Sequence, residues 1–473
     1  MTCIAFGTSG WRGIIADDFT FRGVRAVSQA IAEHLLKEQL AGQGVVIGYD
    51  TRFLSEEFAG EATVILVRNG IPVFLCEKPA PTPVVAYEIV RRKAGGGIIM
   101  TASHNPYHYN GFKFSTPDGA PPLPEVTGRI EKKANELLEG PDPGPVHLHE
   151  GKGTGLLHRI DPKPFYLEQL QRMVDFDAIR QGHLTVVVDP LYGAGQGYLD
   201  QAAEAAGMRV HVLHEMRDPL FGGGSPDPSE EKLQELKAAV LNHGASLGLA
   251  TDGDADRYGI IDADGSFINP NQVLALLVQH LAETRGRKWG VARTVATSHL
   301  VDRVAEGYSL PLYETKVGFK YIGELLLEDK IIIGGEESAG LSIRGHVPEK
   351  DGILACLLVA EMVALRKRPV KGLLQELYAK VGTLVTKRID LPLSQDRLAQ
   401  LHATLQDPPK AFAGRKVTEV GRLEGTKLIL EDGSWLLARP SGTEPVVRVY
   451  LEASSEEEIR ALAEAAKALV EGV

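Results

Sequence analysis

Short apolar runs alternate with amphipathic stretches along the first part of the chain. The run at 45–49 predicts a buried strand, and the apolar spacing in 56–67 predicts a helix. Further strands are predicted at 72–75 and 97–100. Repeated alternation of strands and helices is typical of parallel, doubly wound α/β units. The chain is therefore predicted to begin with an α/β domain.

The same alternation starts again after a Pro- and Gly-rich stretch at 140–155, a composition that indicates a domain boundary. Beyond that stretch the pattern predicts strands 184–189, 209–213, 247–250, 294–296 and 330–333, and helices 197–206, 229–242, 271–283, 301–306 and 353–366. These segments predict two further α/β units.

The last hundred residues have a different pattern, in which strands follow one another directly. The predicted elements are strands 387–391, 415–420, 427–430, 435–438 and 446–452, followed by helix 456–470. Ser454 and Ser455 stand three residues before Glu457 and Glu458, the spacing of a capping box at the helix start. We therefore predict α/β domains at 1–150, 151–262 and 263–375, and a C-terminal α+β domain with a largely antiparallel sheet at 376–473.

Composition and charge narrow the class of protein. The chain has 473 residues, 44% of them hydrophobic, which suits a globular protein of about three domains. Its 51 basic and 62 acidic residues give a net charge of −11, which argues against nucleic acid or a membrane surface as partner. Three widely spaced cysteines without a CxxC pair argue against a disulfide framework or a zinc site. With no signal-peptide pattern, and with 353–365 too short to span a bilayer, we expect a cytoplasmic protein.

Polar loops follow the apolar strands, where open α/β sheets bind their ligands. The first such loop contains Ser103, His104 and the turn residues Asn105 and Pro106. Ser103 is a candidate nucleophile or phosphoryl carrier, and the alternative is an ordinary Asn-Pro turn. A Ser–His hydrolase pair is not expected, because adjacent residues rarely aim their side chains at each other.

The second loop carries three carboxylates at alternate positions, Asp252, Asp254 and Asp256, followed by Arg257. Three negative charges so close together repel one another unless a cation neutralises them. Oxygen ligands favour Mg²⁺ or Ca²⁺ over zinc. The pattern does not match an EF-hand, and the alternative is a solvated acidic turn.

Two further loops offer groups for a sugar and for a phosphate. Glu336 and Ser338 suit sugar hydroxyls, although a glycine turn before a helix cap would have the same sequence. The segment after 435–438 contains residues typical of a phosphate cradle or of a plain β-turn: Arg439, Ser441, Gly442 and Thr443.

Three cationic residues lie near these loops in the sequence. Arg12 stands in a Gly-rich segment at 7–13, Lys113 follows the Ser103 loop, and Lys350 lies in a Glu-Lys-Asp-Gly stretch. Each alone would be read as surface charge. The whole set suits the transfer of a phosphoryl group on a sugar.

Five of these segments together resemble the α-D-phosphohexomutase superfamily, and the bacterial phosphoglucomutase/phosphomannomutase group in particular. They are GTSGWRG at 7–13, TASHNP at 101–106, DGDADR at 252–257, GEESAG at 335–340 and RPSGTEP at 439–445. They occur in the family's order and cover essentially the whole chain. The resemblance implies three similar α/β domains and a fourth α+β domain around a central cleft.

The resemblance also implies roles for individual residues. Ser103 would be the phosphoserine, and Asp252, Asp254 and Asp256 would hold Mg²⁺ together with a phosphoserine oxygen. The remaining residues fall into three groups: Arg12, His104, Lys113 and Arg257 would line the transfer site, Glu336, Ser338 and Lys350 would contact the sugar, and Arg439, Ser441, Gly442 and Thr443 would hold the second phosphate. Glucose 1,6-bisphosphate would be activator and intermediate, and sugar phosphates the only expected partners of a monomer or homodimer.

The sugar loop favours glucose among the substrates of this family. Glu337 and Gly340 stand where the phosphomannomutase type has Met and His, and Phe319 also resembles the phosphoglucomutases. A dual phosphogluco/phosphomannomutase, a phosphopentomutase, a non-catalytic sugar-phosphate-binding paralogue and a metal-dependent phosphatase remain alternatives. Arg12 suits electrostatic support, since arginine stays protonated. Lys113 is the better base candidate, provided that cationic neighbours lower its pKa.

Overall fold

A computed structural model of the chain describes residues 3–141, 154–440 and 446–471. Most of the predicted boundary stretch at 140–155 lies outside these ranges. The first part of the chain contains strands β1 (Phe6–Gly7), β2 (Gly10–Ile14), β3 (Val45–Tyr49), β4 (Val73–Cys76), β5 (Gly96–Met100) and β6 (Tyr109–Ser115), and helices α1 (Phe21–Lys37), α2 (Ser55–Arg68), α3 (Thr82–Arg92) and α4 (Pro124–Glu139).

The second part begins with a strand that joins the first sheet. Its elements are β7 (Leu157–Ile160), β8 (Thr185–Asp189), β9 (Arg209–Val212), β10 (Leu247–Thr251) and β11 (Tyr258–Asp262), with α5 (Lys163–Met173), α6 (Phe176–Gly182), α7 (Leu199–Ala205) and α8 (Gln234–His243). Helix α8 starts five residues after the predicted start at 229. The residues before it form turns instead, in which the amides of Lys232 and Leu233 both donate to the Ser229 carbonyl.

The third part contains β12 (Phe267–Ile268), β13 (Gly290–Thr294), β14 (Leu312–Thr315), β15 (Ile331–Gly335) and β16 (Leu341–Ile343), with α9 (Pro270–Thr284), α10 (Leu300–Gly307), α11 (Phe319–Leu327), α12 (Gly352–Arg366) and α13 (Val370–Val381). The strand predicted at 294–296 lies earlier in the structure, at Gly290–Thr294 (β13). Val295 and Ala296 leave the strand and pack against Trp435, so they are apolar for a reason unrelated to the sheet.

The fourth part contains β17 (Val385–Pro392), β18 (Ala411–Phe412), β19 (Arg415–Gly421), β20 (Thr426–Leu430), β21 (Trp435–Pro440) and β22 (Val446–Ala453), with α14 (Gln395–Gln406) and α15 (Glu456–Glu471). All pairings in this six-stranded sheet are antiparallel, as predicted. The α15 cap differs in one bond: Ser455 accepts from the Glu458 amide at 3.3 Å, but the Glu458 carboxylate bonds back to Ser454 instead of Ser455.

The chain forms two compact units, one of residues 1–273 and 318–372 and one of 274–317 and 373–473. The first unit contains a seven-stranded sheet in the order β1-β2-β6-β5-β3-β4-β7 and a five-stranded sheet in the order β12-β11-β10-β8-β9. The second contains the parallel pair β13–β14 and the six-stranded sheet.

The sheets of the first unit are mixed, so the prediction of parallel α/β units is correct only for their centres. Strands β3, β4 and β5 pair in parallel, as do β8, β9 and β10. Strands β5, β10 and β15, however, each pair antiparallel with the strand that follows, β6, β11 and β16. Three of the four polar loops predicted to carry chemistry, those of Ser103, Asp252 and Glu336, are therefore the connections within these antiparallel pairs.

The continuous burial of β3 shows that helices cover both faces of the first sheet. Val45 and Ile47 belong to the core under α1, α2 and α4, whereas Val46 belongs to the core under α3. Successive strand residues point to opposite faces, so a run apolar at every position is buried on both. This double covering leaves only the strand ends, and the loops that follow them, free to carry polar groups.

The apolar stretch at 353–365 is the buried helix α12. Glu361 within it is 2% exposed and accepts a 2.7 Å hydrogen bond from the Asp175 amide. Among the described residues, no helix combines the length and the apolar character needed to cross a membrane.

Candidate active site

Ser103 lies in the loop after β5, in a backbone conformation that turns its side chain toward the Asp252 loop. Its φ is +53°, in the left-handed region that non-glycine residues adopt only where surrounding contacts impose it. The residue is 1% exposed, and its Oγ donates to Asp252 Oδ2 at 2.7 Å. His104 Nδ1 lies 3.4 Å from the same Oγ, so these adjacent side chains do meet, contrary to the expectation from the sequence.

The three aspartates form a buried cluster of carboxylates in the β10–β11 connection. Asp252, Asp254 and Asp256 are each at most 1% exposed, and one oxygen of each lies within 4.8 Å of the others. Asp254 Oδ1 and Asp256 Oδ1 are buried with no hydrogen-bond partner among the described residues. Burial and repulsion by its two neighbours raise the pKa of Asp252 well above its usual range. Buried carboxylates grouped this closely, two of them with an oxygen that accepts no hydrogen bond, could hold a divalent metal ion.

Two lysines neutralise part of this negative charge. Lys113 Nζ lies 2.5 Å from Asp254 Oδ2 and 2.9 Å from Asp256 Oδ2, and Lys350 Nζ lies 3.2 Å from the same Asp256 oxygen. Burial alone would lower the pKa of Lys113, but the attraction of Asp254 and Asp256 outweighs it, and the net shift is upward. The condition set for Lys113 as a base, a pKa lowered by cationic neighbours, is therefore not met in this arrangement.

Arg12, His104 and Arg257 line the same region. Arg12, on β2, donates from Nη1 to Asn105 Oδ1 at 2.6 Å. Arg257 donates its amide to Asp252 Oδ1 at 3.0 Å, and its buried Nε has no hydrogen-bond partner among the residues described. Burial, followed by the charges of Arg257 and Arg12, holds the pKa of His104 well below its usual range, so its imidazole is neutral.

The sugar-loop candidates lie in the β15–β16 connection of the same compact unit. Glu336 accepts from the Gly318 amide at 3.0 Å, and burial raises the pKa of its carboxyl to about 7. Ser338 is half-buried. A Cβ atom at Gly340 would lie 2.3 Å from Lys350 Cδ, so the absence of a side chain at 340 makes room for Lys350.

The phosphate-loop candidates belong to the second compact unit. Arg439, on β21, is paired through its Nε with Glu424, whose other carboxylate oxygen accepts from the Val317 amide at 2.7 Å. Ser441, Gly442 and Thr443 lie outside the described residues, so their predicted role stays a prediction.

Sequence reasoning missed two residues that contact the site loops. Thr82, at the start of α3, donates to Asp254 twice, from its amide to the carbonyl at 2.9 Å and from Oγ1 to Oδ2 at 2.5 Å. Arg52 is wholly buried and donates to the carbonyl of Ser103. A signal for Arg52 was present, because Asp50, Thr51 and Arg52 form a polar segment directly after an apolar strand, as in the other loops.

Family models match four consecutive parts of the chain. They describe the α/β/α domains I, II and III of phosphoglucomutase/phosphomannomutase at residues 4–140, 164–265 and 269–381, and the C-terminal domain of the same family at 397–469. The predicted fold class, three α/β domains and a C-terminal α+β domain, is confirmed.

Curated relatives match over nearly their full length and carry different substrate names. A phosphoglucomutase/phosphomannomutase of Thermococcus kodakarensis is 33% identical over 96% of each chain. A phosphoglucomutase of Komagataeibacter xylinus is 30% identical over 95% of this chain and 87% of its own. A phosphoglucosamine mutase of Corynebacterium efficiens is 31% identical over 97% of each chain. These names agree on the reaction class and differ in the sugar.

Solved structures give the same fold. The crystal structure of a candidate phosphomannomutase from Thermus thermophilus has a TM-score of 0.86 and 34% identity over 100% of both chains. An N-acetylphosphoglucosamine mutase of Aspergillus fumigatus, solved with GlcNAc-6P and magnesium, covers 99% of this chain and 96% of its own at a TM-score of 0.60 and 16% identity. At that identity the likeness concerns the fold alone.

The assembled serine, carboxylate and cation cluster, the four matched domains and the full-length relatives agree with the resemblance seen in the sequence. This chain is a member of the phosphoglucomutase/phosphomannomutase family, whose enzymes are phosphohexomutases, isomerases that act by phosphoryl transfer.

Proposed function

We propose that this enzyme is a phosphoglucomutase that interconverts α-D-glucose 1-phosphate and glucose 6-phosphate through a phosphoserine at Ser103. The observation that carries the proposal is the position of the Ser103 hydroxyl, which donates to Asp252 at 2.7 Å within a buried cluster of carboxylates and cations. Phosphoryl transfer depends mainly on positioning and on neutralising charge, and this cluster supplies both.

The proposed reaction consists of two transfers. In the first, the bond between phosphorus and Ser103 Oγ breaks and a bond forms to the free hydroxyl oxygen of the hexose phosphate. The proton of that hydroxyl ends on Ser103 Oγ, and the product is glucose 1,6-bisphosphate. After the bisphosphate has turned over in the site, its other phosphoryl group moves back to Ser103. Water must be kept out throughout, since it would hydrolyse the phosphoserine.

Each group of site residues has a part in this proposal. Asp252, Asp254 and Asp256 would hold Mg²⁺, because the three carboxylates lie close together and Asp254 and Asp256 each have a buried oxygen without a hydrogen-bond partner among the described residues. The ion, when bound, would neutralise negative charge on the transferred phosphoryl group. Lys113 and Arg257 would stabilise the same charge from the protein side. The residues proposed for the transfer site also include Arg12, His104 and Lys350. The second phosphate is proposed to bind at Arg439, Ser441, Gly442 and Thr443.

Glucose is the proposed sugar on account of the loop at 336–340. Glu336 and Ser338 would bind sugar hydroxyls, and Gly340 leaves room for Lys350 beside them. Phosphomannomutase-type relatives have a histidine at that position, which could not fit beside Lys350 as it lies here. The relatives named phosphoglucomutase/phosphomannomutase support dual specificity as the second candidate.

The test compares kcat/KM for the 1-phosphates of glucose, mannose and glucosamine, with Mg²⁺ and a trace of glucose 1,6-bisphosphate. We expect glucose to be preferred by more than about tenfold, or about 1.4 kcal/mol of transition-state discrimination. A ratio near one for glucose and mannose would mean a dual enzyme. Turnover of none of the three would refute the proposed hexose activity and direct the assay to pentose phosphates.

Two controls separate a mutase from a phosphatase. The variant Ser103→Ala should lose turnover and should no longer gain the mass of a phosphoryl group on incubation with glucose 1,6-bisphosphate. Chelation of divalent cations should stop turnover reversibly. Release of inorganic phosphate at the rate of substrate loss, with no dependence on the bisphosphate, would identify a phosphatase instead.

A further inference from the structure

Arg52 is the third residue after β3 and is 0% exposed. A guanidinium group has five N–H donors in one plane and no acceptor. Here the Nε donor goes to Asp50 Oδ2 at 3.0 Å, and each Nη atom makes two further hydrogen bonds to backbone carbonyls. All of its donors are therefore used inside the protein, and none is left to bind a ligand.

The four acceptors of those Nη bonds belong to the Ser103 loop and its exit into β6. Arg52 Nη2 donates to the carbonyls of Ser103 at 2.5 Å and Asn105 at 2.7 Å, and Nη1 to those of Pro106 at 2.9 Å and Tyr109 at 3.1 Å. The Ser103 carbonyl is buried and lies outside a regular element, where an unsatisfied carbonyl costs free energy. The Arg52 side chain thus donates hydrogen bonds to four carbonyls of this loop and its exit, as a neighbouring strand would do in a sheet.

Arg52 is itself held from the opposite side. Asp50 accepts from the Arg52 amide at 3.0 Å and from the hydroxyl of Ser55 at 2.7 Å, in addition to the Nε bond. The guanidinium carbon also lies 4.9 Å from the centre of the Phe221 ring. Strand β3 and the first turn of α2 therefore anchor Arg52, and Arg52 anchors the Ser103 loop.

We propose that Arg52 is a positioning residue for phosphoryl transfer, which holds the Ser103 backbone so that its Oγ lines up with the Asp252 carboxylate. The inference rests on the proposed role of Ser103. Ser103 is kept in a left-handed conformation, and the bond from Arg52 to its carbonyl is the shortest of the five. Release of that carbonyl lets the residue leave this conformation, and Oγ moves with it.

The variant Arg52→Lys tests the arrangement without removing the positive charge. A lysine ammonium has three donors, so it cannot satisfy the four carbonyls and Asp50 together. Displacement of a reacting group by about 1 Å can cost about 10²-fold in rate. We expect kcat to fall by about 10- to 100-fold while KM for the sugar phosphate stays within about twofold, since Arg52 does not touch the substrate.

The matched control is Arg25→Lys. Arg25 is also a buried arginine of the first compact unit, 7% exposed and bonded to Glu61 at 2.9 Å, between α1 and α2. The Arg25 bond to Glu61 does not involve the Ser103 loop. Arg25→Lys should keep kcat and KM even if both variants lower the thermal unfolding midpoint by similar amounts.

The second readout is formation of the phosphoenzyme. Wild type and variants are mixed with glucose 1,6-bisphosphate, and the gain of one phosphoryl group is followed by intact mass. Arg52→Lys should be phosphorylated more slowly by the same factor as its loss of kcat. A merely structural role would lower the unfolding midpoint and leave this rate unchanged at temperatures well below the midpoint.

The outcomes are distinct. A folded Arg52→Lys with kcat and phosphorylation rate within twofold of wild type overturns the inference and leaves the proposed function intact. A wild type that is never phosphorylated at Ser103 overturns both. If Arg52→Lys does not fold, the variant Asp50→Asn is used instead, because it weakens the hold on Arg52 but keeps one acceptor oxygen at residue 50. Asp50→Asn should show a smaller loss of kcat at unchanged KM. An unaltered kcat would overturn the inference.

Discussion

Gly253 lies in the Asp252–Asp256 loop with its backbone against the Ser103 loop, and its replacement by alanine is a sharp test of the site geometry. A Cβ atom at 253 would lie 2.4 Å from the Ser103 carbonyl oxygen and 2.9 Å from Pro226 Cγ. Real Cβ atoms essentially never come closer than 3.0 Å, and the nearest atom is backbone that cannot rotate away. The two loops must therefore separate by at least roughly 0.6 Å, the difference between these distances.

The size of the effect follows from that separation. A forced shift of this kind in a packed region costs about 1–3 kcal/mol of stability. A misplacement of about 1 Å between reacting groups can reduce the rate by about 10²-fold, or about 2.7 kcal/mol in the activation free energy. We expect Gly253→Ala to lower kcat by about 10- to 100-fold, because Ser103 Oγ is drawn away from Asp252.

The assay measures kcat, the rate of Ser103 phosphorylation and the thermal unfolding midpoint for Gly253→Ala and for a control, Gly60→Ala. Gly60 lies in the middle of α2, and a methyl group there would meet nothing within 4 Å. Alanine at 60 should therefore stabilise the helix by up to about 1 kcal/mol and leave kcat unchanged. A Gly253→Ala enzyme with wild-type kcat would refute the argument that these loops are held at a fixed separation.

Three further predictions concern the sugar and phosphate loops. Burial raises the pKa of Glu336 to about 7, so its contribution to stability is present below its ordinary pKa of 4.5 and lost as the pH rises through about 7. Glu336→Gln should therefore lose less thermal stability than wild type between pH 4.5 and about 7, and equal losses would contradict this. Gly340→Ala should displace Lys350 and lower kcat/KM about tenfold, and the same change in a Lys350→Ala background should have little further effect. Additive losses would count against the close approach of residue 340 to Lys350. Glu424→Gln should free Arg439 for phosphate and lower KM for glucose 1-phosphate at constant kcat, and a higher KM would show that the pair serves binding rather than competing with it.

Local patterns predicted the strands that support the site. The runs that became β3, β5, β10 and β15 are buried and continuously apolar, and each is followed at once by a polar segment. Such a signal needs no partner to be visible, since burial on both faces of a strand is written in its own residues. The direction of pairing is a different matter, and the antiparallel neighbours of β5, β10 and β15 were not predicted.

Two cases show what tertiary packing decides and a local pattern does not contain. Val295 and Ala296 extend the apolar run of β13, but they pack against Trp435 from a part of the chain 140 residues away. Lys113 was a base candidate only on condition that cationic neighbours lower its pKa, and the structure instead places Asp254 and Asp256 2.5 and 2.9 Å from its Nζ. In both cases the partner lies far along the chain, so no window of sequence contains it.

The sequence by itself determined the inventory of the site: a serine after a strand, three alternating aspartates, a carboxylate loop and scattered cations, in the order of a known family. Only the tertiary structure decided how they meet, with Ser103 on Asp252, 149 residues away, and Arg52 behind the Ser103 loop. The physical reason is that residue type and spacing are properties of a segment. A hydrogen bond, a pKa or a close approach depends on distance and burial, which are set by parts of the chain that meet only on folding.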